Sequence, residues 1–228
     1  MRAGRWWWAL VAIIGASLAP APANAQSARD WLTQAGFVDR DRATALAHID
    51  RADQAANAAL AKSPGDEEAL LMQAMALGYR AKLTSSRSLV MAARKQYEAL
   101  VQRFPRSAEA QAALGAWHVG VIHKVGSLVG RVLGAQKSIA YASLDRAVTL
   151  SGNRAMLIGV AGLMRLQLDP DDPTGKLLVE RATRSPAPTS VDVYVRRAAI
   201  AVLAEIKAGD DKAVKRLADT LLPFGQFS

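Results

Sequence analysis

Short turns rich in proline, glycine and aspartate divide most of this chain into helix-length segments. The turns lie at 63–66, 104–107, 151–153, 169–173 and 185–188. Between them, apolar residues recur every three or four positions, as at Ala45, Ile49, Ala52 and Ala56, which is the spacing of one helix face. No run alternates apolar and polar residues for long enough to predict a strand. The pattern therefore predicts an all-α fold of antiparallel helix pairs.

A motif of small residues recurs in these segments. A small residue is followed by a larger or aliphatic one, then by a second packing residue, and then by a proline or glycine. Its copies are Ala52-Ala56-Ala59-Pro64, Ala93-Tyr97-Leu100-Pro105, Ala140-Leu144-Ala147-Gly152 and, more weakly, Gly175-Val179-Ala182-Ala187. Small residues let two helices approach closely, and proline or glycine ends the helix so that the next pair can stack. We therefore expect these residues to pack helix against helix.

The motif resembles the second helix of a tetratricopeptide repeat. Leu114 and Gly115, followed by His118, stand where the first helix of such a repeat carries Leu-Gly and then an aromatic residue. The resemblance covers about residues 40–190. It implies a right-handed α-solenoid of stacked helix pairs or a compact, irregular helical bundle. The pairs are predicted at about 28–62, 67–104, 108–151, 155–185 and 191–222, within a single domain spanning 26–228.

The first 25 residues resemble a secretory signal peptide. Arg2 and Arg5 precede an apolar run, and small residues at 23–25 predict cleavage before Gln26. The apolar run, 6–18, is shorter than the roughly 20 residues that a membrane span needs. Because the chain has no cysteine, export predicts a bacterial periplasmic or secreted protein rather than a disulfide-stabilised one. No transmembrane helix is expected after cleavage.

The charge of the chain is strongly positive. Its formal net charge is +9 at pH 7, which permits binding to acidic surfaces such as anionic lipid. No aromatic residues interleave with the basic ones, so nucleic acid is not an expected partner.

The sequence carries no catalytic or metal-binding constellation that we recognise. His118 and His123 are five residues apart, whereas a helical zinc pair is four apart. The segment 130–138 resembles a phosphate loop, but its lysine, Lys137, comes three residues too late. The acidic turn at 169–173 lacks the later glutamate of a calcium loop and is instead typical of a helix N-cap. We therefore predict no enzyme activity, no cofactor and no metal.

The function predicted from the resemblance is that of an envelope scaffold or adaptor that binds a protein or peptide. Stacked helix pairs expose a groove lined by their first helices. Aromatic and arginine side chains dominate binding sites, which makes the candidate partner-binding residues Tyr79, Arg80, Trp117, His118, Arg165, Tyr194 and Arg197. The alternative is a carrier of lipid or another small molecule, with an apolar pocket closed by an insert at 119–134.

That insert is the most unusual segment of the chain. It is rich in valine, isoleucine and leucine, and Gly126, Gly130 and Gly134 are spaced four apart. An exposed apolar strip promotes aggregation, so we expect the insert to pack across the groove and not to project into solvent. The repeat spacing also predicts enlarged loops here and at 82–88.

Overall fold

The computed structural model describes residues 27–227, and the predicted signal peptide, 1–25, lies outside the described residues. Within 27–227 the chain forms ten α-helices and no strand, which confirms the all-α fold class. The helices are α1 (Ala28–Thr33), α2 (Arg42–Lys62), α3 (Glu67–Thr84), α4 (Arg87–Arg103), α5 (Ala108–Val132), α6 (Lys137–Leu150), α7 (Ala155–Leu168), α8 (Pro173–Arg184), α9 (Ser190–Ala208) and α10 (Asp211–Leu221). A π-helical turn, Gln34–Val38, follows α1, and a 3₁₀ turn, Gly225–Phe227, ends the described chain.

Polar side chains begin most of these helices. In α2, α3, α4, α5, α8, α9 and α10, the residue before the helix accepts a hydrogen bond from a backbone N–H of the first turn. These caps are Asp41, Asp66, Ser86, Ser107, Asp172, Thr189 and Asp210. Each satisfies a donor that has no partner inside its own helix. The turns that divide the sequence therefore also fix the helix starts.

The helices from α3 onward form two alternating sets. We call α3, α5, α7 and α9 the first helices and α4, α6, α8 and α10 the second helices. Each first helix packs against the second helix that follows it, and neighbouring first helices also contact one another. The short helix α1 and the long helix α2 both pack against α3. None of the described helices is both long enough and apolar enough to span a membrane.

Three first helices carry a glycine beneath a larger side chain of the second helix that follows. The pairs are Gly78 with Tyr97, Gly115 with Leu144, and Gly162 with Val179. A Cβ atom at Gly115 would lie 2.8 Å from Cγ of Leu144, and one at Gly162 would lie 2.9 Å from the backbone nitrogen of Val179. The larger residue of the sequence motif therefore packs on a glycine of the neighbouring helix, and this contact recurs from pair to pair.

Most of the predicted packing residues lie in the interior. The buried ones are Ala52, Ala56, Ala93, Tyr97, Leu100, Leu114, Gly115, Ala140, Leu144 and Ala147. Pro64 and Pro105 lie in exposed turns just after α2 and α4. Ala59 is exposed, unlike its expected packing role, whereas Ala52 and Ala56 of the same helix are buried.

The predicted enlarged loop at 82–88 is absent from the structure. Helix α3 continues to Thr84 and α4 begins at Arg87, which leaves two residues between them. Ser85 has a φ of 52°, in the left-handed region, and Ser86 caps α4. A tight turn, in which Ser85 adopts a left-handed conformation, therefore connects α3 to α4 in place of the predicted enlarged loop.

A chain of ion pairs connects the N-terminal ends of the first helices. Arg29 of α1 contacts Glu68 of α3 at 2.6 Å and Glu109 of α5 at 2.7 Å. Arg154, just before α7, contacts Glu109 at 3.2 Å and Asp192 of α9 at 3.0 Å. Acidic side chains are favourable at helix N-termini, and the two arginines bridge them in series. The four first helices are thereby aligned at one edge.

The glycine contacts make a direct test of this packing. Gly162→Ala should destabilise the protein by about 1–3 kcal/mol, because its methyl group would meet backbone atoms of α8. Gly120→Ala is the matched control in α5: among the described residues, and apart from the adjoining backbone of α5 itself, no heavy atom lies within 4 Å of its Cβ position. That change should stabilise by about 0.5–1 kcal/mol through helix propensity. Urea unfolding of both variants should show a lower free energy of unfolding for Gly162→Ala and a higher one for Gly120→Ala. Equal changes in the two variants would contradict this packing.

Candidate docking surface

The C-terminal part of α5 reverses direction sharply at Gly126. Its φ of 79° and ψ of 164° are not helical, and they lie in a region that residues with a side chain rarely adopt. Helix resumes at once and continues to Val132. A Cβ atom at Gly130 would lie 3.5 Å from Cγ1 of Ile122, so the second arm returns onto the first. We call residues 119–134 the apolar hairpin.

The tip of the apolar hairpin projects from the protein. Every residue from 123 to 129 is exposed, whereas a helix lying on a core would cover a residue in each turn. Leu128 and Val132 are 81% and 83% exposed, and Val129 and Val125 are 54% and 39% exposed. Four neighbouring aliphatic side chains therefore face solvent.

The base of the hairpin is held firmly in place. The Trp117 indole N–H donates a hydrogen bond to the Val90 carbonyl at 2.8 Å, which fixes α5 to α4. Nδ1 of His118 accepts a hydrogen bond from the Gln136 backbone N–H at 3.2 Å, at the start of α6. The Arg94 guanidinium contacts Gly134 and donates to the Leu133 carbonyl at 3.4 Å. The exposed tip therefore stands on an ordered base.

Basic residues surround the exposed aliphatic side chains. Lys124, Arg131 and Lys137 are all exposed, and the sequence contains no aspartate or glutamate between Glu109 and Asp145. The acidic groups close to the hairpin come from other helices. Glu98 is paired with Arg94 at 2.7 Å, and Asp219 lies 3.5 Å from His123. The surface of the hairpin is therefore predominantly positive.

An open cavity of about 550 Å³ lies beside the second arm of the hairpin. Ile122 and Ala135 supply its apolar lining, and the remaining residues are polar or basic: Ser127, Arg131, Gln136, Lys137 and Ser138. Lys137 and Ser138 are also the first residues of α6, where backbone N–H groups favour negative charge. The cavity has the chemistry to accept an anionic group.

Both histidines of this region are poor bases. Burial, with a smaller contribution from Arg94, lowers the pKa of His118 to about 4. Burial also lowers the pKa of His123, where Lys215, Lys82 and Lys124 act in the same direction and Asp219 opposes them. Both side chains are therefore neutral at pH 7.

Acid should weaken the fold through His118. The unfolded chain, with a histidine pKa of about 6.5, takes up this proton before the folded protein does. Stability contributed by the neutral ring is complete above pH 6.5 and is lost as the pH falls toward 4. His118→Asn keeps a hydrogen-bond acceptor without the titration. We expect the urea midpoint of the variant to fall less than that of the wild type between pH 7 and pH 4.5, and parallel pH profiles would contradict this role.

The structure does not gather the predicted partner-binding residues on one surface. Trp117, His118 and Arg165 are buried, and Arg165 pairs with Asp145 and Asp172. The half-buried ones are Tyr79, whose ring is 4.7 Å from Phe224, Arg80, which pairs with Asp50, and Tyr194, whose ring is 4.7 Å from Phe37. Arg197 is exposed. Trp117 and His118 instead anchor the base of the hairpin.

Both ends of the described chain cover the first helices where a groove would be open. Phe37, in the π-helical turn, belongs to the same core cluster as Val160 of α7 and Val195 of α9. The backbone N–H of Phe224 donates to the Gly36 carbonyl at 2.8 Å. Lys82 of α3 donates to the Pro223 carbonyl at 2.6 Å. The N-terminal segment and the C-terminal tail are thus joined to each other over α3, α7 and α9.

The expectation that the insert at 119–134 packs across the groove is wrong. The termini occupy the face of the first helices, and the insert extends α5 away from the core. It is a helical hairpin and not a loop, because the single reversal at Gly126 leaves both arms helical. The sequence singled out this segment but did not predict that Leu128 and Val132 would be exposed. The sequence signal for a basic surface here was the absence of aspartate and glutamate from 110 to 144.

No other chemistry is apparent in the described part of the chain. Among residues 27–227, no group of three or more potential metal ligands is positioned to hold an ion. Comparison of the chain with protein-family models, with curated proteins and with solved structures finds no match.

Proposed function

We propose that this protein is an exported, non-enzymatic docking protein, in which a rigid helical body attaches to a partner in the cell envelope through the apolar hairpin. The observation that carries the proposal is the exposure of four aliphatic side chains close together along an anchored, projecting hairpin. Contiguous exposed apolar surface is typical of an interaction site. Export remains the prediction made from residues 1–25.

The hairpin, and not a groove, is the better docking surface. A peptide that entered between the first helices would have to displace Phe37 and Phe224, which are 8% and 3% exposed. The hairpin is accessible without any rearrangement. The repeated contacts of Gly78, Gly115 and Gly162 support the proposed relation to tetratricopeptide repeats, but in this chain the helical stack acts as a support.

The carrier alternative has less support. An acyl chain requires an enclosed apolar pocket. The cavity beside the hairpin is open to solvent rather than enclosed, and the basic residues Arg131 and Lys137 are among those that line it.

Retention by washed bacterial envelopes tests the proposal. The chain from Gln26 onward is used, because residues 27–227 contain the whole described fold and the apolar run at 6–18 would bind membranes by itself. Leu128→Ser combined with Val132→Ser should strongly lower the fraction of the protein that the washed envelopes retain. Leu177→Ser combined with Ile200→Ser is the control, since those side chains are 67% and 53% exposed on α8 and α9. Equal retention of both double variants would refute docking through the hairpin.

A further inference from the structure

We infer that the partner of the apolar hairpin is the surface of a membrane containing anionic phospholipids, an inference that rests on the proposed docking function. Aliphatic side chains of the tip would enter the boundary between headgroups and acyl chains. The basic residues around the tip would contact lipid phosphates. The body of the protein would remain in water, attached at one point.

The shape of the tip suits a bilayer better than a protein partner. A stable protein interface buries about 800 Å² on each partner, centred on aromatic or arginine anchors in pockets. The exposed apolar residues here are three valines and one leucine along a projecting helical hairpin, with no aromatic side chain among them. A deformable lipid surface receives a small convex apolar tip without needing a matching pocket.

The charges of the tip point to an anionic surface. Lys124 lies next to the reversal at Gly126, and Arg131 lies between Val129 and Val132 on the second arm. Long basic side chains keep their charge at the headgroup level while the neighbouring apolar side chains go deeper. Of the two acidic groups near the hairpin, Glu98 is paired with Arg94, and Asp219 lies close to Lys82 and Lys215 as well as to the neutral His123. Each basic residue close to an anionic membrane contributes about 1 kcal/mol, or roughly fivefold in binding.

The cavity beside the second arm supplies a place for a lipid phosphate. Arg131 and Lys137 border it together with the hydroxyl groups of Ser127 and Ser138. The same Arg131 is adjacent in sequence to Val132, which is 83% exposed. At four-residue spacing, Ser127 and Arg131 form one stripe of the second arm, which lines the cavity, and Leu128 and Val132 form the adjoining stripe. A phosphate at the cavity and an acyl chain at the apolar stripe would therefore bind side by side.

Vesicle sedimentation tests this inference with the chain from Gln26 onward. The protein should bind vesicles of phosphatidylcholine and phosphatidylglycerol at least about tenfold more tightly than vesicles of phosphatidylcholine alone. High salt should remove most of that difference. Arg131→Gln combined with Lys137→Gln should weaken binding to the anionic vesicles by about tenfold or more. Leu128→Ser combined with Val132→Ser should weaken it at least as much, and Leu177→Ser combined with Ile200→Ser should leave it unchanged.

The outcomes separate this inference from the function on which it rests. Absence of vesicle binding, equal binding to neutral and anionic vesicles, or wild-type binding by either hairpin variant would overturn the membrane inference. If the protein does not bind vesicles but its retention by envelopes still depends on Leu128 and Val132, the docking function stands and its partner is a protein. If retention is also independent of these residues, the docking function itself fails. Unchanged urea midpoints for all variants would exclude unfolding as the cause of lost binding.

Discussion

Replacing Arg165 with methionine should destabilise the protein by about 3–5 kcal/mol. The guanidinium is buried between α6, α7 and α8, where it contacts Asp145 at 2.7 Å and Asp172 at 3.3 Å. It also lies 4.0 Å from the centre of the Tyr141 ring. Without the arginine, the buried carboxylate of Asp172 loses its cation, which is far more costly than losing an exposed pair.

Arg184→Met is the matched control for this experiment. Arg184 pairs with Glu180 at 3.2 Å on the surface of α8, and its side chain is 74% exposed. Exposed pairs of this kind contribute at most about 1 kcal/mol. Urea unfolding of the two variants compares the same chemical change inside and outside the core. Losses of similar size would contradict a buried structural role for Arg165.

Phe37→Ala should have a comparably large effect, about 3–5 kcal/mol. The ring is 8% exposed, belongs to the core cluster of α7 and α9, and lies 4.7 Å from the ring of Tyr194. Removing it leaves a cavity and frees the N-terminal segment from α9. Since Gly36 carries the carbonyl that accepts the hydrogen bond from Phe224, the C-terminal tail should loosen as well.

Val38→Ala is the neighbouring control, because Val38 is 51% exposed and should change the free energy of unfolding by no more than about 0.5 kcal/mol. Hydrogen exchange adds a local measurement to the unfolding midpoint. In Phe37→Ala, amides 28–38 and 224–227 should exchange faster than in the wild type. If only amides 28–38 respond, the two termini are not coupled in the way that their hydrogen bonds indicate.

Local signals explain how much of the fold the sequence could predict. Asp66, Ser107 and Asp172 precede helices and accept their first-turn hydrogen bonds, so turns and helix starts were readable. The small residues Ala93 and Ala140 are buried as the motif requires. Both properties depend on residues close together in the chain.

Contacts between distant residues could not be read in the same way. Nothing near Arg165 in sequence reveals that it meets Asp145 inside the protein rather than a partner outside it. The covering of the first helices by Phe37 and Phe224 depends on the two ends of the chain meeting. Once that face is filled, the apolar hairpin has no groove to cover, which is why its exposure was not predicted.

A fluorescent label on the hairpin gives the most direct test of the docking account. The chain has no native cysteine, so Leu128→Cys and Leu177→Cys each provide a single attachment site for an environment-sensitive dye. Both leucines are exposed, at 81% and 67%, but Leu177 lies on α8, outside the hairpin. On addition of washed envelopes to the chain from Gln26 onward, emission from the label at 128 should shift to the blue, and emission from the label at 177 should not move. Equal shifts at both positions, or no shift at 128, would contradict docking through the apolar hairpin.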